Sequence, residues 1–195
     1  MLYIRHGPKM FRNSITEPFG LDPALTPHCD SQLITTFTFY LDQYGPPSSI
    51  VSSPYYRCHQ TALLAQQAIE HATGVHVPIS FDSQIGEYLG NQKQNYSLDK
   101  LRPSTLVHHP IPPETLLQFK QRVSHHKKSA KSDTWYITHG LFIQFLYQYY
   151  TSDRFYPDFL SGFYVNGPTV SKLPSLELTT LDDANSPLVS DKIDN

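Results

Sequence analysis

Two short stretches far apart in the chain place a histidine between a polar residue and a glycine: Arg5-His6-Gly7 and Thr138-His139-Gly140. Each follows a short apolar run that reads as a strand. In open α/β sheets ligands bind at the carboxyl ends of the strands, so both imidazoles are expected to face one crevice. A third stretch, Ser52 through Thr61, follows another buried run and puts Arg57 in the first turn of a helix. There a guanidinium and free backbone N–H groups can hold an anion together. Two imidazoles and an arginine are thus expected at three strand ends around one anion site.

These residues need elements to position them, and the periodicity supplies a βαβα order that becomes less regular later. Leu2–Arg5 is the first strand. Residues 29–44 put Leu33, Phe37, Tyr40, Leu41 and Tyr44 at helical spacing, stopped by Gly45-Pro46-Pro47. Residues 50–52 read as a second strand. Pro54 opens a helix whose Leu64, Ala65, Ala68, Ile69 and Ala72 share a face before Gly74. A helix is expected over 113–128, a third strand over 135–138 and a helix over 141–150. Runs 170–173 and 176–181, separated by Pro174-Ser175, predict a closing hairpin. The expected domain covers residues 1–181. Residues 91–113, polar and broken by prolines, read as an insertion or lid, and 182–195 as a flexible acidic tail.

With 195 residues, 39% of them hydrophobic and 16% charged, the chain is sized for one globular domain. A net charge of −2 provides no overall field toward nucleic acid or an anionic membrane. Cys29 and Cys58 are too few for a disulfide framework, and no signal-like or long apolar run occurs. A cytoplasmic or nuclear location is the expectation. His108-His109 and His125-His126 lack the completing donors of a metal site and read as solvated surface, so no metal is expected. Lys127, Lys128 and Lys131 read as the basic end of a helix rather than a nucleic-acid patch.

The order RHG, SSPYYRCHQTA, EYLG and THG resembles the histidine phosphatase (phosphoglycerate mutase-like) superfamily over most of the chain. Asp22-Pro23-Ala24-Leu25-Thr26 with Gln32 is similar to a further family stretch, with Cys29 standing where glycine is usual. The RCHQTA form and Glu87-Tyr88 resemble the subgroup of suppressor-of-T-cell-receptor-signalling phosphatases and a fungal RNA polymerase III factor subunit. The resemblance implies a three-layer α/β/α sandwich with a mostly parallel sheet.

It also implies roles. His6 would be the nucleophile that forms a phosphohistidine, splitting one hard hydrolysis into two easier steps. Arg5, Arg57 and His139 would bind the equatorial oxygens, with Lys9 joining them. Glu87 would protonate the leaving oxygen. Asn13, or alternatively Arg12, lies where the family has a further phosphate contact. The implied activity is that of a cofactor-independent, histidine acid-type phosphatase, a phosphomonoesterase.

The implied partner is a phosphorylated small molecule or a phosphotyrosine-like substrate, with no nucleic acid or membrane. Phe11, Tyr55, Tyr56 and Tyr88 flank the motifs and predict a pocket tolerant of aromatic leaving groups. Two rival functions stand beside this one. A mutase-type phosphotransferase would carry an arginine directly after the acid, where this chain has Tyr88. An interaction module would keep the fold and dispense with turnover.

Overall fold

The structure is a computed structural model that describes residues 1–10, 22–90 and 113–174. Its strands are short and alternate large apolar residues between two faces, which forces helices onto both sides. In β1 (Leu2–Arg5), Leu2 and Ile4 join one core and Tyr3 the other. In β4 (Thr134–Thr138), Trp135 and Ile137 face the first core and Tyr136 the second. The first core is closed by α1 (Asp30–Tyr44) and α2 (Tyr56–Thr73), through Leu33, Phe37, Tyr40, Ala65 and Ile69. The second is closed by α3 (Leu116–Ser129) and α4 (Gly140–Thr151), through Phe119, Val123, Phe142, Ile143 and Leu146. The result is the expected three-layer sandwich.

Among the described residues six strands form the sheet in the order β3-β2-β4-β1-β5-β6, where β2 is Ser49–Ser52, β3 Ile79–Phe81, β5 Gly162–Asn166 and β6 Thr169–Lys172. The first four run parallel, and β5 and β6 are antiparallel to their neighbours. The local signals for the helices are chemical. Thr115 and Gln118 form a reciprocal capping box at the start of α3, and Gly74 takes the left-handed conformation that ends α2. Although Pro54 was the expected start of α2, the helix begins two residues later at Tyr56.

Three features add to or correct the expectations. Strand β3 gave no period-two signal, because its three residues are too few to display one. A hairpin of β5 with β6, turning at Gly167 (φ 57°), was not foreseen; it takes the run expected over 170–173 as its second strand. Residues 176–181 lie outside the described residues, as do Phe11, Arg12, Asn13, His108-His109, the 91–112 part of the expected lid and the 182–195 tail. Residues 169–172 pair backward onto β5 through a tight turn. Finally, His126 is not solvated. It is 3% exposed, packed edge-on against Tyr3, Tyr136 and Phe142, with Nε2 3.3 Å from the Tyr3 hydroxyl.

Burial pushes the His126 pKa down to about 4, with Arg122 and His125 adding to the effect and Asp82 opposing it. In the unfolded chain an ordinary histidine takes up its proton near pH 6.5, whereas the folded one resists until about 4. The unfolded state binds more protons in that window, so this group makes stability fall as pH drops through it. Replacing His126 with the non-titrating Gln should therefore shrink the loss of unfolding free energy between pH 7 and pH 5 by roughly 2 kcal/mol. Urea midpoints for both proteins at the two pH values measure it; equal losses would contradict the assignment.

Candidate active site

β1 and β4 are adjacent and parallel with Arg5 opposite Thr138, so the residues that follow them emerge side by side. The ladder continues past the strands: His6 N–H donates to Thr138 O at 3.0 Å, and Ser53 N–H to Ile137 O at 2.9 Å. The His6 and His139 rings stand 5.4 Å apart, edge to face, and both are buried. Arg57, in the first turn of α2, is fully buried beside them.

The hydrogen bonds decide which imidazole nitrogen is which. His6 Nδ1 lies 2.8 Å from Gly7 O, and a carbonyl can only accept, so Nδ1 carries the proton. Arg57 Nε donates to His6 Nε2 at 3.1 Å, so Nε2 presents its lone pair. By the same logic Arg57 Nη2, 3.1 Å from His139 Nδ1, makes that atom an acceptor and places the His139 proton on Nε2, toward Ser53 Oγ at 2.8 Å. Burial, followed by the charge of Arg57, holds both imidazoles well below the ordinary histidine pKa, and both are neutral at physiological pH.

Arg57 is the centre of the cluster. Besides the two histidines it reaches Asp22 Oδ1 through Nη1 at 3.1 Å and Glu87 Oε2 through Nη2. Its plane lies 4.5 Å from the Tyr55 ring. Burial pushes its pKa down, but Glu87, Cys58 and Asp22 push it up by more, and the net shift is upward. Asp22 also accepts from the backbone N–H of Tyr56 with both oxygens, at 2.9 and 3.0 Å. The helix's own N-cap, Tyr55, makes no capping bond with its side chain, so a residue from a distant loop satisfies the first orphan donor of α2. Thr61, one turn on, accepts from Gly7 N–H at 3.0 Å and donates to Arg57 O at 2.7 Å.

Glu87 follows a single 3₁₀ turn, Ser83–Ile85, capped by Asp82. The Thr138 hydroxyl donates to Ile85 O, tying this turn to the strand end that carries His139. Glu87 is a quarter exposed, the most open of the cluster, and its Oε2 is 3.7 Å from His139 Nδ1. Lys9 is half-buried in a lone antiparallel bridge with Leu25; burial lowers its pKa, with Glu87 acting against that. Arg5 points toward the 152–161 loop. Its Nη1 donates to Pro157 O at 2.9 Å and its guanidinium stacks 4.1 Å from Phe159. Its buried Nε has no hydrogen-bond partner among the described residues.

His6, Arg57, Glu87 and His139 thus meet directly, Arg5 and Lys9 stand beside them, and Asn13 lies outside the described residues. Sequence reasoning missed Asp22, Ser53 and Thr61, which orient the others; the carboxylate and hydroxyls inside the quoted motifs were the available signal. Two of the four aromatics expected to line the pocket are turned inward. Tyr55 is fully buried edge-on to His139, and Tyr88 packs on Phe119, so neither forms an open wall. Among the described residues, the rings beside His6 and Arg5 are Phe159, 5.6 Å from the His6 ring, and Tyr156, 56% exposed and 5.1 Å from the Arg5 guanidinium. Tyr156 lies so close over Gly140 that a Cβ there would meet its ring at 2.7 Å.

Among the described residues no cluster of three or more histidine, cysteine or acidic side chains is arranged to hold a metal, and no helix is long and apolar enough to cross a membrane. No curated protein matches the sequence significantly. Solved structures do. A Thermus thermophilus protein is 20% identical with a TM-score of 0.58, covering 89% of this chain and 98% of its own. A mycobacterial glucosyl-3-phosphoglycerate phosphatase is 18% identical at 0.52, over 84% and 87%. The protein histidine phosphatase SixA, complexed with tungstate, is 10% identical at 0.53, over 88% and 92%. These likenesses establish the fold. A family model for branch 1 of the histidine phosphatase superfamily matches residues 1–167, and with His6, Arg57 and His139 gathered at the strand ends, the chain belongs to that superfamily.

Proposed function

We propose that this protein is a phosphomonoesterase working through a phosphohistidine on His6. The observation that carries the reading is the state of His6: buried, neutral, protonated on Nδ1 by its bond to Gly7 O, with the Nε2 lone pair aimed at Arg57. A substrate phosphate placed among Arg57, Arg5 and Lys9 meets that lone pair. As the N–P bond forms and the ester P–O bond breaks, the imidazole becomes positive, and the Gly7 carbonyl stabilises the Nδ1–H. Glu87, whose contact with Arg57 the phosphate dianion replaces, holds a proton in the substrate complex and passes it to the departing oxygen. Water then attacks the phosphohistidine, gives a proton to the Glu87 carboxylate, and breaks the P–N bond. His139, neutral and steered by Ser53, offers its pocket-facing Nδ1 to a phosphate oxygen once it takes up a proton beside that dianion.

Two features bear on substrate class. Tyr88 stands where a mutase would have a basic residue, and it is turned onto Phe119. Phe159 and Tyr156 lie next to His6 and Arg5. Both favour a phosphatase that accepts an aryl leaving group, phosphotyrosine included, over one built for small anionic sugar phosphates.

Three outcomes are expected. His6→Ala should fold, by circular dichroism, and release no phosphate from 4-nitrophenyl phosphate; wild-type turnover would remove the nucleophile assignment, and a cellular role surviving without turnover would favour the interaction module. Glu87→Gln should cut kcat for benzyl phosphate, whose alkoxide needs a proton, by about 10²–10⁴, and affect 4-nitrophenyl phosphate far less. Tyr156→Ala, at an exposed ring, should lower kcat/KM for aryl phosphates by about three- to tenfold relative to sugar phosphates; no relative change would detach the aromatic rim from specificity.

A further inference from the structure

Glu87 sits on a stretch with little regular structure, yet a proton donor must be held to within a fraction of an ångström to be useful. The chain on both sides of it is gripped from α3. Arg122 Nη1 donates to Gln84 O at 2.7 Å and to Gly86 O at 3.1 Å. The same guanidinium donates from Nε to Glu114 Oε2 at 3.1 Å and pairs through Nη2 with Glu114 Oε1. Glu114 in turn donates its backbone N–H to Gly90 O at 3.3 Å. One ion pair therefore holds positions 84 and 86 before the acid and position 90 after it.

The pair is well made for that task. Its side chains are about a tenth exposed, so solvent screens it little. Phe119 lies 4.8 Å under the guanidinium, and the ring of Tyr88, adjacent to Glu87, packs against the same Phe119 at 5.1 Å. On the opposite side the Thr138 hydroxyl holds Ile85 O. The 3₁₀ turn is pinned between the strand end bearing His139 and the fork of Arg122, leaving the Glu87 side chain as the part that reaches Arg57. The planar fork supplies a donor to two carbonyls and to both carboxylate oxygens in fixed directions; an ammonium, with three donors, cannot serve all four.

We infer that Arg122, locked by Glu114, is a positioning residue for the proton-donating step at Glu87. This rests on the reading of Glu87 as the acid. It requires a defect that appears only when the leaving group needs a proton. The experiment measures kcat and KM of the full chain for benzyl and 4-nitrophenyl phosphate, in wild type, Arg122→Ala, Glu87→Gln and the double variant.

In Arg122→Ala the benzyl-to-nitrophenyl ratio of kcat should fall by about tenfold or more with KM little changed. Millimolar methylguanidinium should restore part of it, and in the Glu87→Gln background Arg122→Ala should leave the ratio where it is. Because both substrates are read on one preparation, an unfolded fraction cancels. An unchanged ratio in Arg122→Ala, beside a lowered one in Glu87→Gln, overturns the positioning role alone. An unchanged ratio in Glu87→Gln overturns both readings together.

Discussion

A guanidinium with no exposed surface has to be compensated, because stripping water from a charge costs several kcal/mol even after the surroundings relax. Arg57 is that group, and much of the site is the means of compensation. Asp22 and Glu87 supply negative charge, His6 and His139 supply lone pairs, and Tyr55 supplies a ring face. The same contacts set the chemistry. An imidazole that must accept from Arg57 cannot hold a proton on that nitrogen, so both histidines are kept neutral and in one tautomer each. Compensating the buried charge and preparing the nucleophile are one arrangement.

Asp22 shows how closely fold and site are joined. Its carboxylate caps the start of α2 and pairs with the arginine of that helix's first turn. Negative charge at a helix N-terminus is favourable in itself, so the cap and the ion pair reinforce each other. Thr61 repeats the pattern one turn later, linking the backbone after His6 to the backbone of Arg57. The loop after β1 and the start of α2 are thereby fixed to each other by side chains rather than by sheet hydrogen bonds.

The far side is held differently. β5, antiparallel to β1, is reached through the 152–161 loop, in which Leu160 takes a left-handed backbone (φ 60°). Its N–H donates to Arg5 O, its carbonyl accepts from the Tyr40 hydroxyl at 2.7 Å, and Ser161 O accepts from Arg5 N–H. A non-glycine residue holds such a conformation only where its surroundings over-determine it. Here the consequence is that Phe159 and Tyr156 are delivered onto the Arg5 guanidinium.

How much of this was legible beforehand follows from what each feature depends on. Local features were readable: the strand ending at Arg5, the amphipathic helices stopped by Gly45 and Gly74, and the glycine-flanked histidines at 6 and 139. Each is written in consecutive residues, since period and capping are short-range properties. The unforeseen features are long-range. β3 is a strand because β2 offers it an edge, the closing hairpin pairs with 162–166 because β1 needs a partner, and His126 is buried because Tyr3 and Tyr136 enclose it. By itself, then, the sequence determined the residue types that can carry phosphate and the strand ends on which they sit. Only the tertiary structure decided that Arg57 would be sealed from water, and with it the partners, tautomers and charge states around it, because dehydrating a charge is a property of everything packed against it.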